Sequence, residues 1–153
     1  MLKYTDPELQ KAASLTINDS IRLIEIYRFD NKQIQKQTPW IDSDCVCGVL
    51  KLSCNGYHGW AEYLLHGVHK EFDLIRWANV FIQLKGISIS EAVVRVKGME
   101  EEWGAERQAL IETAVLDLEW NIQHPFAVKR QNREDAQRER AQLIEQSQSY
   151  FSF

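Results

Sequence analysis

No apolar run in this 153-residue sequence approaches the ~20 residues a membrane-spanning helix needs. Residues 1–10 hold Asp6, Pro7 and Glu8 and lack the apolar core of a secretory signal. Both absences predict a cytoplasmic protein with no membrane partner. Cysteine is scarce and its count of three is odd, which fits reduced thiols rather than a disulfide framework. Lys and Arg form no dense block and the formal net charge is −4, so nucleic acid is not the expected partner. There is no internal repeat and no low-complexity tract.

What is present is core-forming material: five Trp, five Tyr and six Phe in a chain that is 44% apolar and 26% charged. That length and composition suffice for one domain with a helical appendage, without disulfides or metals. Residues 1–19 read as a leader, in which Asp6-Pro7-Glu8 caps a short helix running to about Leu15. Residues 20–29 read as a strand, with Ile24 and Ile26 on one face and Ile21, Leu23 and Tyr27 on the other. Both faces are therefore covered, at least in part. Residues 30–39 are polar, end in Pro39 and read as a loop.

A second strand is predicted over 44–54, with Val46, Leu50, Leu52 and Cys54 on one face and Lys51 and Ser53 on the other. Asn55-Gly56 follows, the strongest short hairpin signal because both residues tolerate positive φ. Residues 57–62 are the returning strand. The period then becomes helical. Leu74, Trp77, Ala78, Phe81 and Leu84 form one stripe that ends at Lys85-Gly86. Ser88 and Glu91 make a capping box for a short helix that stops near Gly98. Glu100, Glu101 and Glu102 read as a solvated turn.

Residues 105–123 make the best helix, with Ile111, Ala114, Val115, Leu118 and Ile122 on one stripe that Leu116 and Trp120 widen. His124-Pro125 ends it. From Phe126 on, a charged helical tail carries only a thin stripe of Ala136, Leu143, Ser147 and Tyr150. A solvated helix is its simplest reading and a docking or oligomerisation helix the next. The expected architecture is α+β: a three-stranded antiparallel meander followed by a helical bundle, with a C-terminal helical tail. The segments are a leader over 1–19, the main domain over 20–125 and the tail over 126–153.

Three stretches in order carry a resemblance. Residues 21–29, Ile-Arg-Leu-Ile-Glu-Ile-Tyr-Arg-Phe, resemble the opening strand of the N-terminal capping domain of the enolase superfamily. Asn55-Gly56 followed by Gly59-Trp60-Ala61-Glu62 is similar to that domain's hairpin, with Ala61 where glycine is usual. Residues 114–120, Ala-Val-Leu-Asp-Leu-Glu-Trp, resemble its long helix. Order and spacing agree with the muconate-lactonizing and mandelate-racemase branches over residues 20–128.

The resemblance implies a cap that closes over a (β/α)-barrel and shapes specificity through two loops. The barrel supplies the metal-binding carboxylates and the bases that take a proton next to a carboxylate. Such a barrel takes about 200 residues, and after Pro125 only the charged tail follows. A cap without its barrel is the expectation, with no catalytic residue, no metal ligand and no cofactor of its own. Magnesium would belong to a separate barrel chain. The resemblance places the specificity loops at residues 30–40 and 63–70. Phe29, Trp40, Tyr63, His66 and His69 are thus the ligand-contact candidates, although packing is the simpler role for Phe29 and Trp40.

Cys45 and Cys47 share a strand face and Cys54 has the opposite parity, so buried thiols are expected rather than a metal site. Glu62 is expected to serve as a structural hydrogen-bond partner. The expected role is a non-catalytic interaction or ligand-binding module. The alternative is the cap subunit of a split enolase-type racemase, epimerase or cycloisomerase whose barrel lies on another chain. An uncovered apolar face would favour a homodimer, a barrel-containing partner, or coverage of that face by the tail helix.

Overall fold

Asn55 and Gly56 both take positive φ, 48° and 83°, and so allow a two-residue link between twisted strands. The computed structural model describes residues 19–30, 36, 39, 44–67, 72–127 and 131–153. In it, β2 (Val46–Cys54) and β3 (Tyr57–Leu65) form the expected hairpin, closed by Cys54 opposite Tyr57, but β3 runs on past Glu62, so residues 63–65, expected in a loop, pair with β2 as strand. Strand β1 (Leu23–Phe29) pairs antiparallel with β2, placing Ile24 against Leu52 and Ile26 against Leu50. The leader helix expected over residues 6–15, most of the loop expected over 30–39, Trp40 and His69 lie outside the described residues.

A fourth strand completes the sheet. β4 (Ser147–Ser152) pairs antiparallel with β1, giving the order β3-β2-β1-β4. This corrects the helical reading of the tail: Ser147 and Tyr150 lie in a strand, not on a helix stripe. The helix α5 (Arg133–Gln146) stops where the charged residues stop, and the uncharged segment after it finds hydrogen-bond partners on the edge of β1. Asn132 caps α5, its side-chain oxygen accepting from the Asp135 N–H at 2.8 Å. The class remains α+β.

The sheet's first face carries Ile24, Ile26, Val46, Leu50, Leu52, Cys54, Tyr57, Ala61, Tyr63 and Leu65, all in one buried cluster with the helices. Ile21 joins that cluster, although the alternation of residues 20–29 pointed it the other way. It precedes β1 in irregular backbone, where its N–H donates to the Ile87 carbonyl and its own carbonyl accepts from Gly86. The stripe from Leu74 to Leu84 divides into α1 (Leu74–Ala78) and a 3-10 segment (Asn79–Leu84), and still buries Leu74, Ala78, Phe81 and Leu84. α2 (Ile89–Val96) is capped by Ser88, whose hydroxyl accepts from the Glu91 N–H at 3.1 Å. The Glu91 carboxylate pairs with Arg95 at 2.6 Å.

The acidic run forms a short helix rather than a turn: α3 (Glu100–Trp103) turns Trp103 into the core, edge-on to Phe81. α4 (Ala105–Gln123) then crosses the first face of the sheet, burying Leu110, Ile111, Ala114, Val115, Leu118 and Ile122. Leu116 and Trp120 do not extend its buried stripe, being 41% and 49% exposed. Gly59 makes this crossing possible. A Cβ there would sit 2.1 Å from the Ala114 carbonyl oxygen and 2.6 Å from the Leu118 backbone nitrogen. The two stretches 59–62 and 114–120 thus meet directly, and the Asp117 carboxylate accepts from the Trp60 N–H at 2.8 Å.

Candidate functional site

The described residues expected to contact a ligand do not converge. Phe29 ends β1 on the sheet's second face, opposite Ser147 of β4. Tyr63 lies on the first face, where it is buried and its hydroxyl donates to the Tyr27 carbonyl at 2.7 Å. Its ring lies 5.6 Å from that of Trp77, and burial raises its phenol pKa. Gly48 leaves room for this bond, since a Cβ there would lie 2.5 Å from the Tyr63 hydroxyl. His66 is exposed just beyond β3, with Nδ1 3.2 Å from the Cys45 sulfur. Cys45, Cys47 and Cys54 are buried thiols outside any disulfide, and burial pushes the Cys47 thiol pKa up. Among the described residues, no group of three His, Cys, Asp or Glu side chains is placed to hold a metal ion.

Charge gathers instead on the sheet's second face. Glu25 and Lys51 face each other across β1 and β2 and are 0% and 1% exposed. Strand alternation puts both on the side opposite the apolar core, and α5 lies over them. Glu25 Oε1 accepts from the Arg140 Nε at 2.5 Å, the Tyr27 hydroxyl at 3.0 Å and the Tyr150 hydroxyl at 3.2 Å. Lys51 Nζ donates to Glu139 at 2.8 Å and stands 3.9 Å from Glu25 Oε2. The ammonium also lies 4.8 Å from the centre of the Trp60 ring, within cation–π range.

Each partner shifts its neighbours in the expected sense. The hydrogen bond to Glu25 raises the Arg140 pKa and holds it charged. Tyr27 is pushed up by burial and then by the Glu25 charge, so it stays a neutral donor. His58 is held below the usual imidazole range, first by burial and then by Lys51. Its Nδ1 lies 2.8 Å from the Ser53 hydroxyl.

Two grooves flank α5. One, of about 570 Å³, runs between the β2–β3 turn and the start of α5, with Ser53, His58, Arg133 and Arg140 in its lining, which holds no carboxylate. The other, of about 670 Å³, is lined by Glu62, Asp117 and Glu139 together with Trp60 and Leu143, and holds no basic residue. Both fall in the size range of small-molecule sites. The four central charges are committed to one another, two of each sign. Their chemistry is that of a latch holding α5 and β4 to the sheet.

Glu25, Lys51 and Arg140 were not among the residues expected at a site. Two oppositely charged residues on facing strands, each flanked by apolar neighbours, were the available signal. The register that makes them face each other is not written in either strand alone. Comparison of the sequence with family models, with curated proteins and with solved structures finds no match. Among the described residues, no helix is long and apolar enough to cross a membrane.

Proposed function

We propose that this chain is an enolase-type capping module that performs no proton chemistry of its own and acts by binding a ligand or a partner. The observation that carries this reading is the mutual commitment of the second-face charges. Glu25, the most buried carboxylate, is saturated on one oxygen by an arginine and two phenols. Lys51 is paired with Glu139. A general base needs an accessible group poised near the working pH, and these groups are spent on holding α5 in place. The meeting of Gly59 and Trp60 with Ala114, Asp117 and Leu118 supports the capping-type assignment, because the two stretches that carry the resemblance depend on each other sterically.

The test is turnover by the purified chain. Incubation with a panel of 2-hydroxy, 2-amino and unsaturated carboxylates and magnesium is expected to leave every substrate unchanged. Racemisation or cycloisomerisation with no second chain present would overturn the proposal. Activity that appears only on adding a barrel-containing protein would favour the split-enzyme alternative.

A further inference from the structure

The two outer edges of the sheet are treated differently. On β3 two of the outward backbone groups are met by side chains of α4: Asp117 accepts from the Trp60 N–H at 2.8 Å, and Asn121 donates to the His58 carbonyl at 2.6 Å. These contacts blunt that edge against strand addition.

On β4, Phe153 and Ile24 exchange both of their backbone hydrogen bonds, at 2.9 and 3.3 Å. Antiparallel alternation therefore turns the N–H and C=O groups of Tyr150 and Ser152 away from β1, toward the open side. Among the described residues, β4 has no strand partner other than β1. Residues 146–153, Gln-Ser-Gln-Ser-Tyr-Phe-Ser-Phe, contain no charge and no proline, the usual protections of an edge. The register shift against β1 falls at Arg28/Phe29, upstream of Tyr150, so the open stretch is regular.

We propose that this edge is the homodimer interface, with β4 of a second copy adding antiparallel across a twofold axis at Phe151. In that register Tyr150 of each copy pairs with Ser152 of the other, giving four ladder hydrogen bonds. Phe151 meets its symmetry mate at the closer, non-hydrogen-bonded position. Phe151 and Phe153, half-buried against the core and 4.7 Å apart, would cover their remaining apolar surface there. A neutral strand of this kind suits its own copy because antiparallel self-pairing opposes no like charges. The proposal deepens the interaction-module reading but stands on the edge geometry alone. Turnover by the purified chain would remove that reading and leave this one intact, and a monomer would do the reverse.

Residue-resolved amide exchange on the full chain tests it, alongside light scattering over about a hundredfold concentration range, where mass action shifts the population. The mass should rise toward two chains as concentration increases. The Tyr150 and Ser152 amides should gain protection in step, while the Phe151 and Phe153 amides stay protected throughout. Ser152→Pro removes one outward donor and no bond to β1, and should weaken association by about tenfold or more. One-chain mass at every concentration would overturn the proposal. So would a dimer whose Tyr150 and Ser152 amides exchange freely, a readout that holds even if Ser152→Pro fails to fold.

Discussion

The two faces of the sheet solve the burial problem in different ways. The first is apolar and sealed by helices whose side chains enter it: Phe81, Leu84, Ile111 and Leu118 are buried against Ile24, Ile26, Leu50 and Leu52. The second is sealed by α5, which has no buried residue, through bonds to Glu25 and Lys51. Apolar contact is non-directional and tolerates many arrangements. A pair of buried charges accepts only the partner that neutralises it. The first face therefore supplies most of the stability, and the second fixes where the tail lies.

Phe81→Ala should have the largest effect. The ring is fully buried and meets Trp77 and Trp103 edge-on, at 6.0 and 6.1 Å. Its removal should cost about 4 kcal/mol in urea unfolding. A loss below about 1 kcal/mol would mean that the helices on the first face do not provide the main core.

Glu25→Ala comes next and sharpens the contrast. It leaves Lys51 without one of its two carboxylates and Arg140 without its acceptor, at a cost of about 3 kcal/mol. The triple change Glu25→Leu, Lys51→Met, Arg140→Leu should recover part of that loss, since apolar residues of similar volume often replace buried ion pairs without penalty, while the Tyr27 and Tyr150 hydroxyls still lack the acceptor that Glu25 gave them. The recovered protein should hold α5 less firmly, seen as faster amide exchange in residues 133–146. If α5 stays as protected as before, the charges do not specify its position.

Legibility follows the same division. The hairpin, the Ser88 cap and the α4 stripe rest on local rules, and each formed where residues a few positions apart demanded it. Glu25 and Arg140 are 115 positions apart, so their contact depends on a register and a chain reversal that no local pattern encodes. β4 was misread for a related reason. Ser147 and Tyr150 continue a helical period, and only the free edge of β1 makes a strand the better answer. Of the site candidates, Tyr63 proved to be a core residue because Gly48 admits its hydroxyl to the Tyr27 carbonyl, a contact between strands.

Gly59→Ala probes the junction between β3 and α4. The added methyl meets backbone rather than a flexible side-chain end, so α4 must move away, at about 2 kcal/mol. The Asp117 bond to Trp60 should loosen with it. Equal stability of the variant would show that α4 adjusts freely, and the steric dependence of the two stretches would fall.

On the second face, acid should act through His58. Its folded-state pKa is lowered, so the unfolded chain takes the proton first. The contribution is complete above the ordinary imidazole value of about 6.5 and is lost as pH falls through that value toward the folded pKa. His58→Asn should flatten the stability profile in that window. A wild-type profile that is level there would mean the imidazole is not held neutral by its surroundings.

Trp120→Ala should cost least, about 1 kcal/mol, and it separates area from enclosure. Trp120 is as large an aromatic as any in the core, yet half of it faces water and its ring stacks on exposed His124 at 4.2 Å. Two terms decide the outcome. Losing the buried half of the indole destabilises, but the site lies open, so water fills the space and no cavity penalty is added. Alanine also has the higher helix propensity, which returns about 0.5 kcal/mol near the end of α4. The ratio to Phe81→Ala, about one to four, thus measures how much of an aromatic's worth comes from being surrounded. A cost for Trp120 equal to that of Phe81 would require a surface on α4 that the described residues do not cover but that is nonetheless buried in solution.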